Sequence, residues 1–162
     1  MAEILSELGE FGLIHRIRDL LQKEGCSAPA VTLGIGDDTA SFLPRQGYEV
    51  LVTCDSMVEG RHYLPSWISP HDLGRRAMVS NISDIGAMGG LPLYALISLG
   101  LRGDLPVADI EAMYRGFLAE LNPFGASIIG GNLTSAGEKV FIDITLLGEA
   151  FTGRVLRRSS AR

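Results

Sequence analysis

The sequence predicts one domain of the α/β or α+β class, in which helices are layered on a mixed β-sheet. Its 162 residues are 46% hydrophobic and 20% charged, a composition typical of a globular protein that buries a substantial core. Stretches with helical spacing of apolar residues alternate along the chain with short, β-rich apolar runs. An interleaved order of this kind favours a sheet covered by helices. We expect residues 1–153 to form this domain.

Three helices are predicted from apolar spacing and from signals at their ends. The first spans Glu10–Glu24, with Gly25 as its stop. The second begins at Ser69 and Pro70 and runs to about Met88, because serine suits the N-cap and proline suits the first helical position. The third spans Pro106–Leu121.

Five apolar segments are predicted to contribute strands, namely Ala30–Leu33, Tyr48–Thr53, Leu91–Leu101, Ser127–Ile129 and Val140–Leu147. The uncharged stretch Ile85–Leu101 falls short of a membrane span. Gly89 and Gly90, followed by Pro92, divide it into helix, turn and strand. No membrane segment is therefore expected.

Charge and cysteine content restrict the partners and the compartment. The formal net charge of −5 argues against nucleic acid and anionic membranes as partners. It does not argue against a nucleotide, since metal ions can invert the sign of a local site. We expect no signal peptide at Met1–Glu3, because this start is acidic, and the two cysteines, Cys26 and Cys54, form no CxxC motif. We expect a cytoplasmic protein with reduced thiols.

Three short motifs place carboxylates at the ends of apolar stretches. They are Gly34–Asp38, Thr53–Asp55 and Asn81–Asp84. Two carboxylates about 6 Å apart repel by roughly 3 kcal/mol at an effective dielectric constant near 20, so converging aspartates need cations between them. Ligand sets made only of oxygen favour Mg²⁺. The motifs therefore predict magnesium-assisted phosphate chemistry.

A fourth segment, Gly130–Asn132, ends another apolar run. We predict a glycine-rich turn there, which would hold backbone close to phosphates. It is not a Walker A loop, because no Gly-Lys-Ser/Thr sequence follows it.

Asp84 is the most informative single residue. On the second predicted helix it continues a row formed by Leu73, Ala77 and Asn81 that faces the core. A carboxylate in such a row needs a cation, an arginine or hydrogen bonds. The alternative to a metal site is an ion pair with Arg75 or Arg76.

Cys54 and His62 each have two interpretations. Cys54 is either a small buried apolar residue or a metal ligand, although sulfur suits Mg²⁺ badly. His62 follows in a polar loop, where it could contact a substrate phosphate or hydroxyl or act as a general base. The alternative is that His62 is simply exposed.

Taken together, these segments resemble the thiamine-monophosphate kinases, within the aminoimidazole-ribonucleotide synthase superfamily. Their order and spacing agree over essentially the whole chain. The similarity runs through Gly9–Ile14, Leu33–Asp38, Thr53–Tyr63, Asn81–Gly89 and Gly130–Asn132.

The resemblance implies ATP-dependent phosphorylation of thiamine monophosphate to thiamine diphosphate, by direct in-line transfer with several Mg²⁺ ions. Asp38, Asp55 and Asp84 would be the principal metal ligands. The further residues that the resemblance implies are Asp37, Thr53, Cys54 and Asn132 for metal, Gly131, Asn132, Arg158 and Tyr114 for the nucleotide, and His62 for the substrate. Because the acceptor phosphate is itself a nucleophile, His62 is not expected to be the catalytic base.

The resemblance also implies a homodimer in which the sheets of two amino-terminal domains join into a barrel across a two-fold axis. Two residues depart from the family pattern, since Asn132 replaces the usual Asp and Cys54 replaces the customary Thr. Each change removes a hard oxygen ligand or a charge from the implied metal site.

The final segment, residues 154–162, carries four arginines. It is either a solvated basic tail or the start of a connection to a second domain, which the resemblance implies would complete the nucleotide site. Two rival enzymes of the superfamily are selenophosphate synthetase and the hydrogenase maturation factor. A rival of another class is a non-catalytic dimerisation or nucleotide-binding fragment.

Overall fold

The structure, a computed structural model, describes residues 3–160 and contains three α-helices and six strands. The helices are α1 (Leu5–Glu24), α2 (Pro70–Ala87) and α3 (Val107–Leu121). The strands are β1 (Val31–Leu33), β2 (Ser41–Phe42), β3 (Tyr48–Val58), β4 (Leu91–Leu101), β5 (Ser127–Ser135) and β6 (Phe141–Phe151). This architecture confirms the predicted mixed sheet layered with helices.

The main sheet has the strand order β3-β6-β4-β5, with β4 and β5 parallel and the other neighbours antiparallel. Burial alternates without interruption from Ile142 to Ala150 in β6, because successive side chains point to opposite faces. The face that carries Ile142, Ile144 and Leu146 packs under the helices, and these three side chains are fully buried. We call it the helix face.

The opposite face, called the open face, carries the alternate residues of the four strands. Val50 and Val52 on β3 are exposed there. The separate β1–β2 hairpin covers part of this face, since Phe42 packs against Tyr94 of β4 with ring centroids 4.9 Å apart. The open face is therefore only partly covered, and Val50 and Val52 give it an exposed apolar region on β3.

Two glycines set the close contact of α2 and α3. A Cβ atom added at Gly74 would collide with the carbonyl oxygen of Met113, and one added at Gly116 would collide with the carbonyl oxygen of His71. These glycines are required by the close approach of the two backbones and not by a turn. The amphipathic spacing of the helices did not reveal this requirement.

The predicted helices are confirmed, with one difference at the start of α1. Ser69 caps α2 through a hydrogen bond of 3.1 Å from the backbone N–H of Asp72, and Pro70 begins the helix as expected. In contrast, α1 begins at Leu5 and not at Glu10, and it bends at Gly9, whose φ of 72° lies in the left-handed region.

Three strands are longer than predicted. β6 continues to Phe151, and β3 continues to Val58, so that Asp55 lies inside a strand and does not follow one. β5 continues to Ser135, so the predicted turn at Gly130–Asn132 is wrong. Pairing with β4 holds this segment extended, and Gly131 permits it, because a Cβ there would collide with the carbonyl oxygen of Ile97.

The uncharged stretch divides as predicted between the end of α2, a turn and β4. Gly89 adopts φ 75° in that turn. Among residues 3–160, no helix has the length and apolar character needed to cross a membrane.

Candidate active site

Thr53 and Asp84 join the sheet to α2. Thr53 lies on the helix face of β3, and its Oγ1 donates a hydrogen bond of 2.8 Å to Oδ2 of Asp84. Asp84 is nevertheless exposed, whereas Asn81 one turn earlier is fully buried. The predicted row therefore ends at the protein surface, with its carboxylate fixed on one side and open on the other.

The alternative ion pairs for Asp84 are not formed. Arg75 instead binds Glu120 of α3, with its Nε 2.6 Å from Oε1. Within residues 3–160, no salt bridge joins Asp84 to Arg75 or Arg76. The exposed oxygen of Asp84 is thus available to a cation or to a donor group of a ligand.

Asn81, one turn before Asp84 on α2, has an unpaired side-chain oxygen. Its Nδ2 donates to the carbonyl oxygen of Ala77 at 3.2 Å, while its Oδ1 has no partner. It is the one fully enclosed side-chain polar atom without a hydrogen bond among the described residues. An orphaned acceptor of this kind costs about 1–3 kcal/mol, so a water molecule or a cation would be favoured there.

Asp55 shares the helix face of β3 with Thr53, because residues two apart along a strand point the same way. Their Cα atoms are separated by roughly 7 Å at the usual strand rise. Asp55 and Asp84 therefore flank Thr53 from the strand and from the helix. The two carboxylates and the hydroxyl offer only oxygen donors, the kind of ligand that Mg²⁺ prefers.

Cys54 points to the open face, away from Thr53 and Asp55. It is exposed, so the interpretation as a buried apolar residue is wrong. Its Sγ lies 3.6 Å from Oδ1 of Asp143 and accepts a contact of 3.6 Å from Oγ1 of Thr145. Side-chain alternation along β3 thus separates Cys54 from Thr53 and Asp55, although the family resemblance implied all three as metal ligands.

Asp143 is the centre of a polar cluster that the sequence analysis missed. Besides Cys54, the hydroxyl of Ser56 donates a hydrogen bond to its Oδ1. In register, Asp143 pairs with Ser98 of β4, which pairs in turn with Asn132 of β5. The polar positions in β6 gave a signal, but the strand register needed to place them beside Cys54 and Asn132 could not be read from the chain.

Asp37 and Asp38 lie in the loop of the β1–β2 hairpin and are both exposed. The Asp37 side chain accepts a hydrogen bond of 2.9 Å from the backbone N–H of Asp38. The hairpin packs on the open face, where Ala40 lies beside Gly130. These two carboxylates are thus attached to the face opposite Thr53.

The structure does not gather all the predicted ligands in one place. Among residues 3–160 there is no group of three or more His, Cys, Asp or Glu side chains placed to hold one metal ion. β3 and β5 are the two edges of the sheet, so Asp55 and Asn132 are separated by three strand spacings, about 14 Å. The candidate residues form two groups, one around Asp84 and one around Asp143 and Asn132.

His62 and Arg158 are both exposed. His62 follows β3 in a short turn, and its Nδ1 accepts a hydrogen bond of 3.0 Å from the backbone N–H of Val58. Arg158 begins the last short helical turn, after Leu156 has donated a backbone hydrogen bond of 3.0 Å to Met88. That contact brings the final segment to the end of α2 that carries Asp84.

Tyr114 is buried in the core and is only 4% exposed. Its ring meets Phe117 edge-on, with centroids 5.3 Å apart, and burial raises the pKa of its hydroxyl. Packing in the core is enough to explain the presence of Tyr114 at this position. A nucleotide could contact it only after the helix layer had opened, so we leave it out of the proposed site.

Comparison with known proteins places this chain in a defined family. Residues 36–150 match the family described as AIR synthase related protein, N-terminal domain. The chain belongs to this family.

Within it, the chain is similar to thiamine-monophosphate kinases. It is 40% identical over 158 residues to that of Aquifex aeolicus, and 36% identical over 155 residues to that of Bacillus subtilis. These alignments cover 98% and 96% of the chain but 47% and 46% of the relatives. The chain therefore spans about half the length of the curated relatives that it matches.

Solved structures give the same result. The thiamine-monophosphate kinase of Stenotrophomonas maltophilia superposes with a TM-score of 0.75 at 32% identity, over 93% of this chain and 45% of that protein. AaThiL complexed with AMPPCP and TMP superposes with a TM-score of 0.67 at 38% identity, over 100% and 48%. A hydrogenase maturation protein, HypE, reaches a TM-score of 0.73 at 22% identity over 99% and 47%, a likeness of fold alone.

Proposed function

We propose that the chain acts in the ATP-dependent phosphorylation of thiamine monophosphate to thiamine diphosphate, as the amino-terminal part of the enzyme. The observation that carries this proposal is the identity of 34–40% to proteins named thiamine-monophosphate kinase across nearly the whole chain. AaThiL has been seen with both AMPPCP, an analogue of ATP, and TMP. The likeness to HypE, at 22% identity, is one of fold alone.

Asp55 and Asp84 are the proposed magnesium ligands on the helix face, and Asp38 with its neighbour Asp37, on the opposite face, is the proposed ligand of a second ion. Mg²⁺ in phosphate-transfer sites is held by one or two carboxylates together with substrate phosphates and water, so a protein cage of three carboxylates is not required. When bound, the ion would neutralise charge on the transferred phosphoryl group.

The residues of the chain contribute by holding the metal ligands, the nucleotide and the substrate in position. Thr53 holds one oxygen of Asp84 and leaves the other free. Arg158, tethered near the end of α2, would add positive charge toward the nucleotide, and Gly131 with Asn132 would approach it through their backbone. His62 would contact the substrate. Transfer in this scheme rests on orientation and charge neutralisation, and no side-chain base is needed.

The proposed partner is a second copy of the chain, paired through the open faces of the sheets. Val50 and Val52 are 45% and 65% exposed on β3, although helices cover most of the other face of the same sheet. Burial of this apolar surface would stabilise a dimer. Light scattering should give twice the chain mass, and Val52→Asp should give a monomer. Val79→Asp, on the outer side of α2, is the matched control that should stay dimeric.

A cytoplasmic location is proposed because both cysteines are free thiols. We also propose that residues 154–162 lead toward the part of the enzyme that corresponds to the remaining half of the relatives.

The test is calorimetric titration of the chain with AMPPCP and then with thiamine monophosphate, both with Mg²⁺, alongside an assay of ADP formation from ATP. The Bacillus subtilis relative serves as the positive control for turnover. We expect the chain to bind the nucleotide only when Mg²⁺ is present. A chain that binds neither ligand under conditions where the control binds both would contradict the proposal.

A further inference from the structure

The turn that follows β3 is built almost entirely from its own backbone and from two charged side chains. The turn spans residues 58–63. Gly60 donates its N–H to the carbonyl oxygen of Tyr63 at 2.8 Å, and the backbone N–H of His62 donates to Val58 at 2.9 Å. Gly60 has φ 77°, which lies in the left-handed region that glycine adopts without strain. His62 is thereby fixed at an exposed corner.

The ring of His62 has one nitrogen occupied. Its Nδ1 accepts the N–H of Val58 at 3.0 Å, which an imidazole can do only when Nδ1 carries no proton. The hydrogen bond of one ring nitrogen sets the state of the other, so the neutral ring carries its proton on Nε2. The exposed nitrogen is therefore a hydrogen-bond donor and not a base.

Glu59 anchors this turn to the start of β6. Its backbone N–H donates to the carbonyl oxygen of Val140 at 3.0 Å, and its Oε2 accepts the N–H of Val140 at 3.1 Å. The Glu59 side chain is only 17% exposed, so its charge requires a partner close by.

Arg102, at the end of β4, supplies that partner. Its Nη1 lies 2.9 Å from Oε2 and 3.1 Å from Oε1 of Glu59. The same guanidinium reaches Asp104 through Nε at 3.1 Å, but Asp104 is 75% exposed and touches no part of the turn. The Nη1 of Arg102 also donates to the carbonyl oxygen of Glu138 at 3.5 Å, so Arg102 has one partner that shapes the turn and two outside it.

We propose that Glu59 and Arg102 are positioning residues, which hold the 58–63 turn so that His62 presents Nε2–H outward to an oxygen of a phosphate monoester. This inference deepens the proposed function and rests on it for the identity of the phosphate, which is that of thiamine monophosphate. The pair touches neither the nucleotide nor the reacting atoms. It acts through the orientation of one donor, and a donor placed in advance loses less entropy on binding than a freely rotating one.

The positioning is tested by the tautomer of His62, read from the ring nitrogens in a proton–nitrogen NMR spectrum near pH 8, where imidazole is neutral. His15, exposed on α1, gives a freely exchanging reference in the same spectrum. We expect His62 to be fixed as the Nε2–H form. Glu59→Gln and Arg102→Gln should move it toward the pattern of His15, and the control Asp104→Asn should leave it unchanged.

Two variants keep this test decisive if one of them fails to fold. A His62 that already exchanges like His15 in the unaltered chain would overturn the positioning role. So would a fixed His62 in a folded Glu59→Gln or Arg102→Gln variant.

The phosphate contact is tested by titration with thiamine monophosphate and, separately, with AMPPCP. Glu59→Gln should weaken the binding of thiamine monophosphate by about tenfold, the effect of losing one charge-assisted hydrogen bond. The affinity for AMPPCP should stay within about twofold of the parent value. Equal affinity for thiamine monophosphate in the variant would overturn the inference and leave the proposed function standing. An unaltered chain that binds no thiamine monophosphate would overturn the proposed function, and the tautomer would still decide the positioning role.

Discussion

Thr53 on β3 and Asp84 on α2 meet across the boundary between sheet and helix, with Thr53 Oγ1 2.8 Å from Asp84 Oδ2. The hydroxyl fixes one carboxylate oxygen and directs the other toward solvent. A carboxylate held in this way has already lost much of its rotational freedom, so a cation that binds it needs less ordering.

Thr53→Val should separate this orienting role from stability. The two side chains have the same shape, but valine cannot donate to Asp84. Because the carboxylate is exposed, we expect the free energy of unfolding to change by less than about 1 kcal/mol. Magnesium-dependent binding of AMPPCP should weaken by about tenfold, the equivalent of one lost hydrogen bond to a charged group.

Thr145→Val is the matched control for Thr53→Val. Thr145 lies on the open face of the same sheet, where its hydroxyl contacts Cys54. If both variants weakened nucleotide binding equally, the effect could not be assigned to the orientation of Asp84.

The close contact of α2 with α3 should be intolerant of a single methyl group. Gly74→Ala would place Cβ against the Met113 carbonyl oxygen, so the helices must separate. We expect a loss of about 1–3 kcal/mol, the usual effect of overpacking, in a denaturant titration.

Gly86→Ala, on the same helix, should have the opposite sign. Its added Cβ would meet no atom within 4 Å, and alanine favours helix over glycine by up to about 1 kcal/mol. Equal destabilisation by the two variants would show that the α2–α3 approach is not as close as described.

Tyr63 should make the fold sensitive to alkaline pH. Burial, followed by the nearby charge of Glu59, raises the pKa of Tyr63 to about 12 from its ordinary value of 10.0. The neutral phenol therefore stabilises the fold fully below about pH 10, and this contribution is lost as the pH rises toward 12, because the unfolded chain ionises first.

Tyr63→Phe tests that relationship. The variant should lose stability less steeply than the parent between about pH 10 and pH 12 in denaturant titrations. The variant should still lose some stability as the pH rises, since Tyr94 and Tyr114 also have raised pKa values. Identical slopes in the two proteins would remove Tyr63 as a cause.

Local signals in the sequence predicted the helices and the strand β4 well. The serine cap and proline of α2, and the bounds of β4, depend on residues that are near one another in the chain. Asp84 was recognised because helical spacing puts it on the row of Asn81. Each of these features can be read without knowledge of the tertiary structure.

The features that depend on strand register could not be predicted. Gly130 and Gly131 favour a turn locally, but pairing with β4 keeps them extended. Cys54 and Asp143 meet only because β3 and β6 pair in one register, and Arg102 reaches Glu59 only because β4 ends beside the turn. Such contacts join distant parts of the chain, where composition carries no information about which residues become neighbours.

The central claim, that Asp84 is a magnesium ligand in a phosphate-transfer site, is tested most directly by Asp84→Asn in calorimetric titration of AMPPCP with and without Mg²⁺. The variant keeps the shape of the side chain and an oxygen that can accept from Thr53, so its unfolding curve should match that of the parent. We predict that magnesium-dependent binding is abolished while the fold is retained. Unchanged magnesium-dependent binding in the folded variant would contradict the account and leave Asp84 as a surface carboxylate.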